Sequence, residues 1–439
     1  MKIKNLPAYL LTAGFLLFIA IFGVMTVLSG GGHILSGSVA AYAYADAMRA
    51  MFALKTDDEI AALDGRTDMT RRAYNAPLAG IKTALNAVDS EYKLTFFHKF
   101  DFVTLHGAMR RYLGESFFPD SASDVNIVKL NDGLLAQLKT RLDVEQCAQP
   151  LEDIKAFLDT RDIGLIFTYV HTKVHDPQSQ LPLGATDHSN AIADRFLRML
   201  DKLGIEYIDT RAVLNASGIP VDRLYFSTDA HWTIPAAFEV FGALTDKLNC
   251  TGRFSIDPSI ADIGRYDVTT YEGQFLGSDG RNAEVFWELD DFTTIIPNYE
   301  TGFSERSVNP DGEWEYREGS FTEAVMYMDR LEPEENQLYS LNSYSAYGYN
   351  RAEQVITNEL VDTGKVLFIK NSSGNPVSAF TALGVNEVCG LDRRVLGTTT
   401  IADYIDAYRP DAVVIVYNFD FLKPDRLDIF NINEDLGLD

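Results

Sequence analysis

The sequence predicts an α/β fold built on a doubly wound, mostly parallel sheet. Three observations predict it. Short continuous apolar runs at Ile163–Val170, Val366–Ile369 and Ala412–Tyr417 read as strands buried on both faces. Segments of helical periodicity lie between them, at Leu151–Leu158, Asn190–Leu203 and Thr233–Leu248. Strand alternating with helix is the pattern of a sheet covered by helices on both sides.

The elements follow in chain order. Leu6 to Leu28 contains no charged residue. As a helix this run spans ~35 Å, enough to cross a bilayer. Lys2 and Lys4 precede it, and no Lys or Arg follows until Arg49. The positive-inside rule then predicts a cytoplasmic tail at 1–5, a membrane span at 6–28 and an extracytoplasmic remainder. The run exceeds the ~7–15 residues of a signal-peptide core, so an uncleaved signal-anchor is expected, although Val39–Ala47 offers a late cleavage site. Residues 29–95 read as a stalk or helical region, beginning with the flexible Gly30–Gly32 and Ser36–Ser38.

The α/β pattern occupies residues 96–439. Arg195, Arg198 and Lys202 mark the wet side of the helix Asn190–Leu203, and Glu206–Ile208 reads as a strand. Thr233 is a plausible N-cap for the next helix, with Pro235 in its first turn. Residues 255–345 interrupt the pattern with Trp287, Trp314, many Tyr, Phe and Asp, and the turn Asn309–Gly312. They read as an inserted loop- and strand-rich subdomain. Its aromatics either grip a sugar chain or pack a small core, and residue by residue packing is the commoner outcome.

Composition narrows the function. Among 439 residues, 38 Lys and Arg face 63 Asp and Glu, a formal charge of −25. This balance argues against nucleic-acid binding and against docking on anionic lipid through a polybasic patch. Hydrophobic residues at 46% and aromatics at 12% exclude wholesale disorder. Cys147, Cys250 and Cys389 have no metal-ligand spacing and read as three small buried hydrophobes. No cofactor is expected. His171, His175, Asp176 and His188 form a conceivable metal set, but they read better as a strand end and loop.

Two segments carry chemistry. In Ser227–Thr233, Asp229 lies two residues before His231 on one loop, close enough to fix the imidazole tautomer and leave the other nitrogen as a general base. In Val366–Pro376, an apolar strand ends in Lys370-Asn371-Ser372-Ser373-Gly374, and a helix is expected to follow. A hydroxyl there stands at the carboxyl edge of the sheet, where open α/β sheets bind ligands. Taken alone, Ser372 or Ser373 reads more readily as a helix cap than as a nucleophile.

Together these segments resemble the SGNH-hydrolase-like polysaccharide O-acetyltransferases, the alginate O-acetylation and "DHHW" proteins. Asp229, His231 and Trp232 match the family's D-x-H-W motif, with Ala230 where DHHW proteins have His. Ser372 matches the nucleophile of its K-D-S-like motif, with Asn371 in place of Asp. His171-Thr172-Lys173 followed by Leu181-Pro182 resembles the family's P-x-K…L-P segment, with His171 replacing Pro. Gly273–Arg281, Asp290–Pro297, Asn342–Gly348, Ile356–Asn358, Leu391–Arg394 and Pro410–Asn418 resemble further family segments over about 96–425.

The resemblance implies an SGNH-like fold and a catalytic set of Ser372, His231 and Asp229. It implies acetyl transfer through an acetyl-serine to a hydroxyl of a cell-surface or exported polysaccharide. Acetyl groups would come from a multi-pass membrane-bound O-acyltransferase. The Ser372 N–H and a second donor would hold the oxyanion, with Gly277, Gly280 and Asn375 the candidates. Trp232 and Lys173 complete the candidate oxyanion and substrate residues, Trp232 as a pocket wall or as packing. Two other readings stand beside this one: a carbohydrate esterase using the same triad, and a non-catalytic glycan-binding or assembly protein. The acidity of the insertion favours a neutral or basic glycan over a polyanionic one.

Overall fold

The structure is a computed structural model that describes residues 107, 109, 110, 112–119, 126–283, 288–308, 313–333, 338–348, 353–392, 400–418 and 422. All of them belong to one compact unit, Gly107–Asp439. The expected tail, membrane span and stalk lie outside the described residues. Among the described residues, no helix is long and apolar enough to cross a membrane.

The strands are β1 Phe117–Pro119, β2 Asn126–Lys129, β3 Leu135–Gln137, β4 Gly164–Val170, β5 Glu206–Asp209, β6 Tyr266–Phe275, β7 Asp290–Pro297, β8 Phe303–Val308, β9 Trp314–Gly319, β10 Glu353–Asn358, β11 Lys365–Lys370, β12 Glu387–Leu391 and β13 Ala412–Asn418. The α-helices are α1 Ala148–Asp159, α2 Pro177–Gln180, α3 Ser189–Leu203, α4 Thr210–Ala216, α5 Ile234–Cys250, α6 Ser278–Asn282, α7 Asn375–Thr381 and α8 Ile401–Tyr408.

Eight strands form the main sheet in the order β5-β4-β13-β11-β12-β10-β8-β9. The first five run parallel. The remaining pairings are antiparallel, so the sheet is mixed where a mostly parallel one was expected.

The apolar runs are explained by burial on both faces. In β11, Val366 and Phe368 pack on one side with Phe241 and Leu244 of α5 and Phe380 of α7. Leu367 and Ile369 pack on the other with Leu151 of α1, Phe196 of α3 and Ile405 of α8. Alternation along the strand therefore appears as continuous hydrophobicity. Each such side chain contributes roughly 1.5–3 kcal/mol of burial. Thr233 caps α5, its hydroxyl accepting from Ala236 N at 3.4 Å, and Pro235 sits in the first turn.

The stretch 255–345 is not a separate subdomain. Strands β8 and β9 extend the main sheet, while β6 and β7 pair as a two-stranded ribbon. The edge of β10 exposes a row of backbone donors and acceptors, and β8 satisfies them. The inward side of β8 carries Phe303, Glu305 and Ser307, all buried. Glu305 accepts from Tyr327 OH at 2.7 Å and from Gln354 Nε2 at 2.9 Å. A strand with a buried carboxylate does not read as a sheet member in sequence. Among the described residues, most of the region's aromatics are core, including Phe275, Phe292, Phe303 and Phe321, whereas Trp314 and Tyr316 are exposed on the edge strand β9. Trp287 lies outside the described residues.

Cys147 and Cys389 are buried as expected, and burial pushes the Cys147 thiol up to about 12. Cys250 is instead exposed, because it ends α5 on its wet side; none of the three forms a disulfide.

Candidate active site

The site begins as local chemistry. Residues Leu224–Phe226 pair back onto His231–Thr233: Phe226 N donates to His231 O at 3.2 Å and Thr233 N to Leu224 O at 2.9 Å. The intervening loop is tight, and its Asp229 carboxylate turns onto its own segment. Asp229 Oδ1 accepts the His231 backbone N–H at 3.1 Å and also the His231 Nδ1–H. An Asp two residues before its partner makes this turn unaided. Donation from Nδ1 leaves Nε2 as the acceptor.

The second half arrives from β11. Asn371 follows the strand with extended backbone, and its Oδ1 accepts from Ser373 N at 3.0 Å. This cap turns the chain into a short 3-10 helix, Ser372–Gly374, that runs into α7. Ser372 is left at the carboxyl edge of a central strand, with its Oγ 2.7 Å from His231 Nε2. Ser372, His231 and Asp229 thus form one continuous hydrogen-bonded chain. Within the turn, Ser373 N is taken by Asn371 Oδ1 and Gly374 N by Asn371 O, whereas Ser372 N has no partner among the described residues.

Asp229 is 5% exposed. Burial alone raises its pKa, but His231, the Ser278 N–H at 2.9 Å and the charge of Lys173 outweigh burial and hold it well below the usual carboxylate range. The site therefore keeps a buried anion beside the imidazole.

The other named candidates lie elsewhere than at the Ser372 hydroxyl. Gly277 N donates to Thr228 Oγ1 at 2.8 Å and Gly280 N to Thr228 O at 2.7 Å, so both amides are spent on the loop below the carboxylate. A Cβ on Gly277 would stand 2.1 Å from Asp229 Cβ, and one on Gly280 2.7 Å from Thr228 Cβ. These glycines permit close approach; they are not oxyanion donors. Asn375 is buried, with Oδ1 accepting from Lys370 Nζ at 2.5 Å and Nδ2 donating to Gly348 O at 2.8 Å. Lys173 is 3% exposed. Its Nζ donates to Leu135 O and Ser227 O and lies 3.6 Å from Asp279, which makes it an internal cation under the loop. Trp232 is fully buried in the core, the packing role of its two expected ones. Among the described residues, no cluster of His, Cys, Asp or Glu has the arrangement of a metal site.

Two functional neighbours have no signal of their own in sequence. The Tyr344 ring stacks on the His231 imidazole, with centroids 4.0 Å apart and planes at 16°. Its hydroxyl donates to Ser373 O at 3.3 Å, so one side chain touches both halves of the site. Asp290 accepts from Ser227 N at 2.6 Å, Thr228 N at 2.8 Å and Thr228 Oγ1 at 2.5 Å, which clamps the loop leading to Asp229. Only their membership of family-like segments marked either one.

No protein-family model matches the chain, and no curated protein matches it. Solved structures do. A DHHW family protein from Eubacterium siraeum superposes with a TM-score of 0.53 at 17% identity, covering 70% of this chain and 94% of that one. PatB1 of Bacillus cereus, solved with a sulfonyl adduct, superposes with a TM-score of 0.57 at 17% identity, covering 70% of this chain and 99% of that one. The chain has the fold of the DHHW proteins. At this identity the match is one of fold. The DHHW fold here carries the D-x-H-W segment and the strand-end serine in contact with each other.

Proposed function

We propose that the protein is an O-acetyltransferase that moves an acetyl group, by way of an acetyl-serine, to a hydroxyl of a polysaccharide. One observation carries this reading: Ser372 Oγ, His231 and Asp229 form an unbroken hydrogen-bonded chain at the carboxyl edge of the sheet. The shared fold with a DHHW protein and with PatB1 supports the same reading.

The steps follow from the proton positions. His231 Nε2 takes the Ser372 proton as Oγ attacks the acetyl carbonyl of the donor ester. The Ser372 N–H is the available donor for the resulting oxyanion. The donor's C–O bond breaks, and its alcohol leaves with the proton from Nε2. An acceptor hydroxyl then gives its proton to Nε2 and attacks the acetyl-serine, and Ser372 Oγ leaves and is reprotonated. Asp229 stays ionised throughout and steadies the imidazolium. The reading includes an extracytoplasmic catalytic region tethered by residues 6–28 and supplied by a multi-pass membrane-bound O-acyltransferase; the uncharged N-terminal run supports the tether.

The test is the full chain incubated with a chromogenic acetyl ester, read by chromophore release and intact mass. Release with one added acetyl in the wild type, and neither in Ser372→Ala or His231→Ala, is expected. A sulfonyl fluoride should likewise modify the wild type and spare Ser372→Ala. Adding oligosaccharides separates transfer to sugar from release to water, which would make the protein an esterase. A folded wild type that neither releases chromophore nor gains mass overturns the enzymatic reading and leaves glycan binding.

A further inference from the structure

We propose that the groove between residues 219–227 and the β6–β7 ribbon binds a saccharide bearing free amino groups. The proposal deepens the function above and rests on it only for the ligand's part as acetyl acceptor. The groove encloses about 740 Å³, well inside the ~300–1,000 Å³ typical of ligand sites. One wall is the chain that enters the catalytic loop, from Ile219 to Ser227. The other is the ribbon. Residues two apart on a strand share a face, so Thr270 and Glu272 of β6 and Asp291 and Thr293 of β7 present one polar patch. Register holds its two halves together: Thr270 lies opposite Thr293, with the hydroxyls 3.0 Å apart.

The groove borders the catalytic loop. Asp290 lines it and accepts from the N–H groups of Ser227 and Thr228. Ser227 lines it as well, two residues before Asp229. Neither Ser372 nor His231 is in its wall, so this is a binding site beside the triad. A saccharide seated against Ser227 touches the loop that carries both Asp229 and His231. The polar groups stand within a ligand's reach: Asp222, Arg223, Thr270, Glu272 and Asp291 are exposed, and Ser227 and Thr293 are half-buried.

Charge and lining set the ligand class. Three exposed carboxylates, Asp222, Glu272 and Asp291, line the groove against one guanidinium, Arg223, and among the described residues none of the four forms an ion pair. Asp291 spends one oxygen on Gly273 N at 2.8 Å. The surplus of negative charge attracts a cation and repels a polyanion. The start of α5, which also borders the groove, gives an anion little: Pro235 has no N–H, and Ala236 N is taken by Thr233 Oγ1 at 3.4 Å. Hydroxyls at Ser227, Thr270 and Thr293 suit a partner rich in O–H groups, while Ile219, Pro220 and Leu289 meet its C–H edges. A saccharide with ammonium groups brings all three features together, whereas a basic peptide brings only the charge.

The test measures binding directly on the full chain carrying Ser372→Ala, so that no turnover intervenes. Tetraglucosamine is titrated by calorimetry at a pH where its amines are charged, beside N-acetylated chitotetraose, tetragalacturonate and tetralysine. Tetraglucosamine should saturate and bind more tightly than the other three, and added salt should weaken it. Asp222→Asn with Glu272→Gln, both at exposed positions, should weaken it about fivefold or more. Thr270→Trp keeps every charge, fills the groove and should weaken it at least as much. No saturable binding of tetraglucosamine, equal binding by any of the other three ligands, or wild-type binding by both groove variants each overturns the proposal. Because acetyl-ester turnover by the wild type is read separately, failure here is distinguishable from failure of the transferase reading.

Discussion

His231 Nε2 lies 2.7 Å from Ser372 Oγ, although 141 residues separate the two in the chain. His231 belongs to a loop that shapes itself, and Ser372 to the end of a central strand. The contact therefore depends on β11 and the loop before α5 being held in one register by the core between them. The packing of α5 against α7, through Phe238, Phe241 and Phe380, supplies that register.

Asp229 makes the site's stability depend on pH. Its folded-state pKa is held below the unfolded value, with His231, Ser278 and Lys173 outweighing burial. A depressed carboxylate contributes stability that is fully present above the unfolded pKa of ~3.9 and is lost as pH falls toward the folded value. Urea denaturation of wild type and Asp229→Asn should show the largest gap above about pH 5, narrowing below about pH 4. A gap of constant size from pH 7 to 3 would contradict this.

Tyr344 positions His231 by ring contact. Tyr344→Phe keeps the stack and loses the hydroxyl with its bond to Ser373 O, so acetyl-ester turnover should fall by about threefold at most. Tyr344→Leu removes the stack and should lower kcat about tenfold with KM nearly unchanged, in line with ~0.5–1.5 kcal/mol for an aromatic pair. The check is the split between kcat and KM; an equal loss in both variants would assign the role to the hydroxyl.

Gly277 is a steric requirement. A methyl there would lie 2.1 Å from Asp229 Cβ and 2.5 Å from Thr228 O. Gly277→Ala should destabilise the fold by ~2–4 kcal/mol, since backbone must move to admit it. Equilibrium denaturation measures this. Wild-type stability in the variant would mean that the approach is looser than described.

Asn371 serves the turn. Asn371→Asp preserves an acceptor for Ser373 N and should leave folding intact. Asn371→Ala removes the cap and should cost about 1 kcal/mol, with loss of acetyl-ester turnover as Ser372 loses its setting. Comparing the melting temperatures and turnover of the two variants tests it. Equal behaviour would show that the side chain is dispensable.

Legibility followed the range of the interactions. The helices α1, α3 and α5 and the strands β4, β11 and β13 were visible because each is encoded by periodicity or by burial on both faces within its own residues. Asp229 and His231 were visible as a pair because two residues of chain bring them together. Strands β8 and β9 were not placed in the sheet, since Glu305 and Ser307 point inward and only Tyr327 and Gln354 make the Glu305 carboxylate acceptable there. Gly277, Gly280 and Asn375 looked like donors because a sequence displays amides without showing what already uses them.

By itself, the sequence determined the α/β class, the capped helices, the Asp-x-His turn and a serine at a strand end, since all of these arise from contacts a few residues apart. The tertiary structure decided which serine proton meets the imidazole, that Tyr344 stacks on it, and that Lys173 and Trp232 are internal. Those facts depend on which groups remain unpaired after folding, and that is settled only when distant segments have satisfied one another.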